Sequence, residues 1–213
     1  MNVNENALEK LRARVTEGMS PKRATHTLEV EKMAARLAEI YCPEKEFTLR
    51  AAALLHDVTK EYKTDAQVKL CEKYGIELTE TDIFAPKTLH ARTAAAIIPD
   101  IFSEFAEEEI ISAIRWHTTG RAGMTLCEKL IYLADYIDMS RTFEDCVRLR
   151  EFFFRADISN MNREELMLHL DKTMLLSYDM TVIGLITDGS PISEDTVRAR
   201  NEVAISLVRR RAD

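Results

Sequence analysis

The stretch SPKRATHTLEVEKMAARLAEIYCP, residues 20–43, decides the fold class. Ser20 followed by Pro21 predicts a helix start. A short hydroxyl side chain can accept from the exposed N–H groups of a first turn, and proline at the first helical position lacks only an N–H that would go unbonded anyway. His26, Val30, Met33, Leu37 and Ile40 then follow at steps of 4, 3, 4 and 3. That is the stripe of an amphipathic helix facing a core. Pro43 ends it.

The same period recurs on both sides. Leu8, Leu11 and Val15 mark a short helix ended by Gly18. Downstream, Phe47, Ala51, Leu54 and Val58 form the next stripe, with His56-Asp57 at the C-terminal end of that helix. Thr64 with Gln67 reads as a capping box opening another helix, which Gly75 closes. Pro86 precedes a helix carrying His90, Ala94 and Ile97, which Pro99 stops. Ile110, Ala113, Ile114 and His117 lie on a further helix that runs into the loop TTGRAG, and Thr125 with Glu128 opens the helix carrying Asp135. Helices are expected over 142–155 and 162–186, and over 194–211 after the turn Asp188-Gly189-Ser190-Pro191, with Ser193 as cap. No segment alternates like a strand, repeats, or reads as a linker. The expectation is one all-α domain over residues 1–213, its motif core at about 20–141 and its C-terminal helices, about 142–211, packed on that core.

Composition agrees and bounds the function. The 213 residues are 46% hydrophobic and 31% charged, with only 6 glycines and 5 prolines, as suits a helical chain that buries a core. Lys plus Arg number 29 against 36 for Asp plus Glu, a net charge of −7 that argues against attraction to a nucleic-acid polymer or an anionic membrane. A local basic pocket for a phosphorylated small molecule still fits. Cys42, Cys71, Cys127 and Cys146 form no CxxC pair and read as buried reduced thiols. MNVNENALEKLRARV has no leader pattern, and the apolar runs are too short to span a bilayer, so a cytoplasmic chain is expected.

Four of the five histidines, His26, His56, His90 and His117, fall on or at the ends of these helices beside small or aliphatic residues. One such histidine is ordinarily a hydrogen-bonded core residue, but four from separate helices point to a shared site. Imidazole nitrogen and carboxylate oxygen suit iron, zinc, manganese and cobalt alike. Asp57 follows His56, so one helix end offers two donors. Asp135 is flanked by Leu133, Ala134 and Ile137, where a carboxylate without a cation or hydrogen bonds is costly. An exposed position beside Glu128 and Tyr132 is the alternative. His169 shares no such context and reads as structural or solvent-facing.

Together His26, LLHDVTK (54–60), LHARTAAAI (89–97), IRWHTTGRAGM (114–124) and EKLIYLADYIDMSR (128–141) resemble the HD-domain metallophosphohydrolases. Within them the match is to the bacterial symmetrical bis(5′-nucleosyl)-tetraphosphatases of the YqeK-like group. It covers about residues 20–205, including SPISEDTVRARN (190–201). The resemblance implies an HD-type helical bundle with added C-terminal helices and two divalent metal ions, usually iron, with manganese, cobalt or zinc as alternatives. One ion would be held by His26, His56, Asp57 and Asp135. The second would use Asp57 as a bridge, with His90 and His117. The implied reaction cleaves diadenosine tetraphosphate to two ADP by attack of a metal-bridging hydroxide on an inner phosphorus. Ala91 stands where members often have Gly, and Met139-Ser140 where they often have Pro-Gly, next to Arg141.

Such chemistry needs positive groups to balance charge on the transferring and leaving phosphates. Lys60, three residues after Asp57, is the first candidate, followed by Arg121 in the glycine-flanked loop and by Arg141, whose planar guanidinium suits phosphate oxygens. Thr118 and Thr119 offer hydroxyls and Gly120 an unobstructed backbone N–H. Asp57, Lys60 and Arg141 are thus the candidate catalytic residues. Lys60, Thr118, Thr119, Gly120, Arg121 and Arg141 are the candidate substrate contacts. Solvated helix ends are the plain alternative for Lys60 and Arg141, and simple packing the alternative to adenine stacking for Trp116. The expected partner is a small dinucleoside polyphosphate or other nucleotide, bound by a monomer or homodimer. Rival readings are another HD-domain nucleotide phosphohydrolase (a nucleotidase, dNTPase or cyclic-dinucleotide phosphodiesterase) or a non-catalytic nucleotide-binding HD module. The intact set of six candidate ligands argues against the last.

Overall fold

The helical period carries through the chain. The structure, a computed structural model, describes residues 3–212, with side chains from 4 to 210; residues 1, 2 and 213 of the expected domain lie outside it. In order come α1 (Val3–Glu17), α2 (Pro21–Tyr41), α3 (Glu46–Leu55), α4 (Thr64–Lys73), α5 (Glu80–Phe84), α6 (Leu89–Ile101), α7 (Glu108–Trp116), α8 (Leu126–Ile137), α9 (Glu144–Arg155), α10 (Arg163–Thr187) and α11 (Glu194–Ala212). No strand occurs among the described residues, and no helix among them is long and apolar enough to cross a membrane.

Helix α3 is the centre of the assembly because its sequence leaves it almost no polar face. Leu49, Ala51, Ala52, Ala53, Leu54 and Leu55 are all fully buried. A helix apolar nearly all round needs cover on every side, and α1, α2, α7 and α8 supply it. Burying each of the three leucines stabilises the fold by about 1.5–3 kcal/mol. The C-terminal end of α3, which carries His56 and Asp57, is therefore held deep inside the bundle. Helix α6 packs on α7, α9 on α8 and α10, and α11 on α10, so the C-terminal helices cover the core as expected.

Most helix ends follow their sequence signals. The Ser20 hydroxyl accepts from the Arg23 N–H at 3.3 Å, Thr125 and Glu128 form a reciprocal capping box, and Asn162 and Glu165 form another. Gly75, at φ +64°, closes α4: its N–H donates to the Glu72 carbonyl and the Ile76 N–H to that of Cys71. Two readings need correction, and one short helix went unread. Thr64 is not a cap; α4 starts after Lys63, and Gln67 turns inward instead. Helix α6 continues through Pro99 to Ile101, because so near the end the missing N–H deprives a single carbonyl, and the Phe102 N–H closes the last turn on Ile98 at 2.8 Å. Helix α5 carries too few residues for an apolar period, but its Thr79–Asp82 capping box was a readable signal.

The inward turn of Gln67 ties the α3–α4 connection to α6. Its amide donates to the Thr59 carbonyl at 2.5 Å and its oxygen accepts from the Thr93 hydroxyl, while Thr59 Oγ1 donates to the His90 carbonyl at 3.0 Å. All three side chains are buried. Gln67→Ala is expected to destabilise the protein by about 1–3 kcal/mol, the penalty for stranding buried polar groups. Urea unfolding measures it, and a shift no larger than that of a surface glutamine variant would contradict this role.

Candidate metal centre

Five elements send the predicted residues to one place. His26 lies in the second turn of α2, His56 and Asp57 just past α3, His90 in the first turn of α6, His117 just past α7 and Asp135 in the last turn of α8. The four histidines and Asp57 are buried, and Asp135 is partly so. Asp57 stands in the middle. Its Oδ2 lies 3.3 Å from His56 Nε2 and 3.6 Å from His26 Nε2, and its Oδ1 lies 3.2 Å from His90 Nε2 and 3.7 Å from His117 Nε2. Asp135 Oδ1 approaches His26 Nε2 at 2.9 Å and His56 Nε2 at 3.7 Å.

The rings are aimed by a shared local device. Nδ1 of His56, His90 and His117 each contacts the carbonyl three residues earlier, on Ala53, Lys87 and Ile114, at 2.6–2.7 Å. Carbonyls only accept, so Nδ1 carries the proton and Nε2 faces the centre. His26, inside its helix, has no free carbonyl at that spacing. Its Nδ1 instead faces the Asp138 carboxylate at 3.3 Å.

This arrangement suits a divalent cation. His90 and His117 point Nε2 atoms at each other across 3.0 Å, an opposition of lone pairs that a cation relieves. Nε2 of His26, Nε2 of His56 and Oδ1 of Asp57 are buried without a well-formed hydrogen bond. Three overlapping groups of donor atoms close enough to hold an ion follow: His26, His56 and Asp57; His56, His117 and Asp135; and Asp57, His90 and His117. Burial opposes the charge on both aspartates, yet the histidines hold Asp57 well below the usual carboxylate range, as Arg141 and the histidines do Asp135. Burial, with His56 and His90 nearby, pushes His117 down to about 4. Burial also works against charge on His56, but Asp57 and Asp135 outweigh it and push it up to about 10, leaving a proton there that a cation would replace.

The remaining expected residues divide. Lys60 Nζ lies 3.1 Å from His90 Nε2, and the Thr118 hydroxyl lies 3.0 Å from His117 Nε2. Arg141 pairs with Asp135 and reaches Asp138 at 3.3 Å. With Lys22 and Arg23, Lys60 and Arg141 line a cavity of about 500 Å³ that opens at His26. The Thr119 hydroxyl donates to the Gly120 carbonyl at 3.0 Å. Arg121 and Gly120 have partners within the protein. Arg121 is held by the fully buried Glu128 at 3.0–3.2 Å, because the capping box aims that carboxylate at the loop. The Gly120 N–H is taken by the Trp116 carbonyl at 3.0 Å. Glycine is needed there because φ is +66° and a Cβ would collide with the Tyr178 hydroxyl. Trp116 lies under Arg115, 4.2 Å from the ring centre, and His169 is a core residue bonded to the Phe153 carbonyl at 3.0 Å.

Two residues of the site escaped the sequence reading. Arg23 pairs with Asp57, and Asp138 anchors His26, the Ser140 N–H at 2.8 Å and Arg141. Each sits three positions from a recognised residue, Arg23 before His26 and Asp138 after Asp135. Helical spacing of three is the signal that could have found them.

Known proteins share this arrangement of sequence and fold. The HD domain family matches residues 23–140. The chain is similar to a Staphylococcus aureus protein named bis(5′-nucleosyl)-tetraphosphatase, symmetrical, at 30% identity over 91% of this chain and 93% of that protein. A Bacillus subtilis protein of the same name is 29% identical over 91% of this chain and 95% of its own length. A crystal structure from Clostridium acetobutylicum, described as a predicted HD superfamily hydrolase involved in NAD metabolism, has a TM-score of 0.80 and 31% identity, covering 93% of this chain and 97% of that one.

Since a carboxylate behind a ligating imidazole fixes its orientation and basicity, Asp138→Ala is expected to weaken divalent-metal affinity by about 10–100-fold. Competition with a chromophoric chelator measures this on protein whose melting curve confirms folding. Unaltered affinity would mean that Asp138 serves only the loop that follows α8.

Proposed function

The chain belongs to the HD-domain family, in the branch of the symmetrical bis(5′-nucleosyl)-tetraphosphatases, and on that premise we propose that it hydrolyses diadenosine tetraphosphate at its centre, releasing two ADP. One observation carries the reading. Asp57 turns one oxygen to His26 and His56 and the other to His90 and His117, beside a cavity walled by Lys22, Arg23, Lys60 and Arg141. That split suits two divalent ions, taken as iron: one with His26, His56, Asp57 and Asp135, the other with Asp57, His90 and His117. When bound, such a pair activates water at neutral pH and neutralises phosphoryl charge.

The protein's own groups supply the rest in a single domain. Lys60 reaches from the cavity wall to His90, so its ammonium meets the phosphoryl oxygens that gain charge in the transition state. Arg141 orients Asp135 with one side of its guanidinium and offers the other to the polyphosphate. Thr118 adds a hydroxyl donor next to His90 and His117. Arg121 and Gly120 hold the shape of the TTGRAG loop that presents Thr118.

Iron-loaded protein incubated anaerobically with diadenosine tetraphosphate is expected to yield ADP alone on anion-exchange chromatography, and a His56→Ala, Asp57→Ala double variant none. AMP plus ATP would overturn the symmetrical assignment. Lys60→Ala is expected to lower kcat by about 10²–10³-fold, the usual effect of removing one charge-stabilising donor, with metal content near wild type. Loss of the metal from that variant would make Lys60 a support of the centre instead.

A further inference from the structure

The buried His90 lies between residues that line two separate cavities. Its Nε2 lies 3.1 Å from Lys60 Nζ on one side and 3.1 Å from the Thr118 hydroxyl on the other. Lys60 lines the cationic cavity already described. Thr118 lines another, of about 430 Å³, between the α5–α6 connection and the end of α10. That volume lies within the roughly 300–1,000 Å³ of small-molecule sites.

The two cavities differ in chemistry. No carboxylate is among the residues lining the first, which suits phosphate. In the second, Lys87 is set against Asp82 and Asp188, a balance that disfavours a polyanion. Its lining includes the exposed Phe84 and the half-buried Leu185, together with Thr118, Thr181 and Ser193. Apolar faces with a few hydroxyls are what an uncharged base and its ribose require. The Phe84 wall is also held in place: Asp82 caps α5 at Thr79 and accepts from Arg92 at 2.7 Å.

A dinucleoside polyphosphate cut at its centre extends a nucleoside in each direction from the reacting phosphorus. We propose that the Phe84–Leu185 cavity binds the second nucleoside, and that it gives the enzyme its preference for dinucleotides over mononucleotides. This rests on the reaction proposed above.

Two variants test it. Leu185→Trp fills the cavity, and Phe84→Ala removes a wall side chain that is 69% exposed, so that folding does not depend on it. Each is assayed with diadenosine tetraphosphate and with adenosine 5′-tetraphosphate, which keeps the phosphate chain and lacks one nucleoside. The ratio of kcat/KM between dinucleotide and mononucleotide is expected to fall about tenfold in both variants, the scale of one lost base-stacking contact. An unchanged ratio in both overturns the assignment. Equilibrium dialysis of the product ADP against metal-loaded protein gives a second readout: two ADP per wild-type chain and one per Leu185→Trp chain are expected. A single ADP on the wild type, or no loss in the variant, overturns it. If the wild type cleaves neither tetraphosphate, the proposed reaction fails, and the ADP stoichiometry still decides what the cavity binds.

Discussion

A carboxylate at 3% exposure, ringed by four imidazoles, is the constraint around which this molecule is built. Burying the charge of Asp57 is tolerable only if donors or cations close on both of its oxygens. Arg23 and the protonated His56 do so at Oδ2, whereas at Oδ1 His90 and His117 present Nε2 lone pairs that a cation would join to the carboxylate. Each comes from α2, α6 or α7, or from the end of α3 itself, so the position of Asp57 dictates how those helices surround α3. The alanine-rich α3 answers this demand, since small side chains let neighbouring helices approach closely enough for imidazoles to reach one carboxylate.

Helix ends do the aiming. At the end of α3 and of α7, and in the first turn of α6, a carbonyl three residues back is available to hold Nδ1, and the ring then has one direction in which to present Nε2. His26 lies within α2 and borrows the Asp138 carboxylate from beyond α8. The loop after α8 thereby joins the centre, bringing Arg141 and Ser140 with it. The cationic wall and the histidine–aspartate cluster are consequently one hydrogen-bonded unit and not two sites that happen to adjoin.

The legible part of the site was the part whose chemistry is uncommon on an apolar helix face. His26, His56, His90 and His117 stood out against aliphatic neighbours, and Asp135 against Leu133 and Ile137. Arg23 and Asp138 did not, because a charged residue near a helix end has an ordinary solvated explanation. The pairing of Arg121 was hidden for a related reason. A glycine-flanked arginine reads as unpaired until the direction of Glu128 is known, and capping geometry sends that carboxylate back over the loop. Gln67 shows the same competition: its spacing from Thr64 fits a cap, but a buried carbonyl at Thr59 claims its amide.

What the sequence by itself determined is therefore local: the helical class, the order of the long helices, most of their caps, and the identity of the donor atoms. These depend on apolar spacing and on side chains within a turn of each other. Only the tertiary structure decided that Nε2 atoms from four segments meet about one aspartate, that Arg121 is already paired, and that Lys60 of one cavity and Thr118 of another both approach His90. The physical reason is that helical periodicity states which face is buried but not which partner buries it. The partner follows from how helices distant in sequence pack around α3, and a centre made from five elements exists only once that packing is complete.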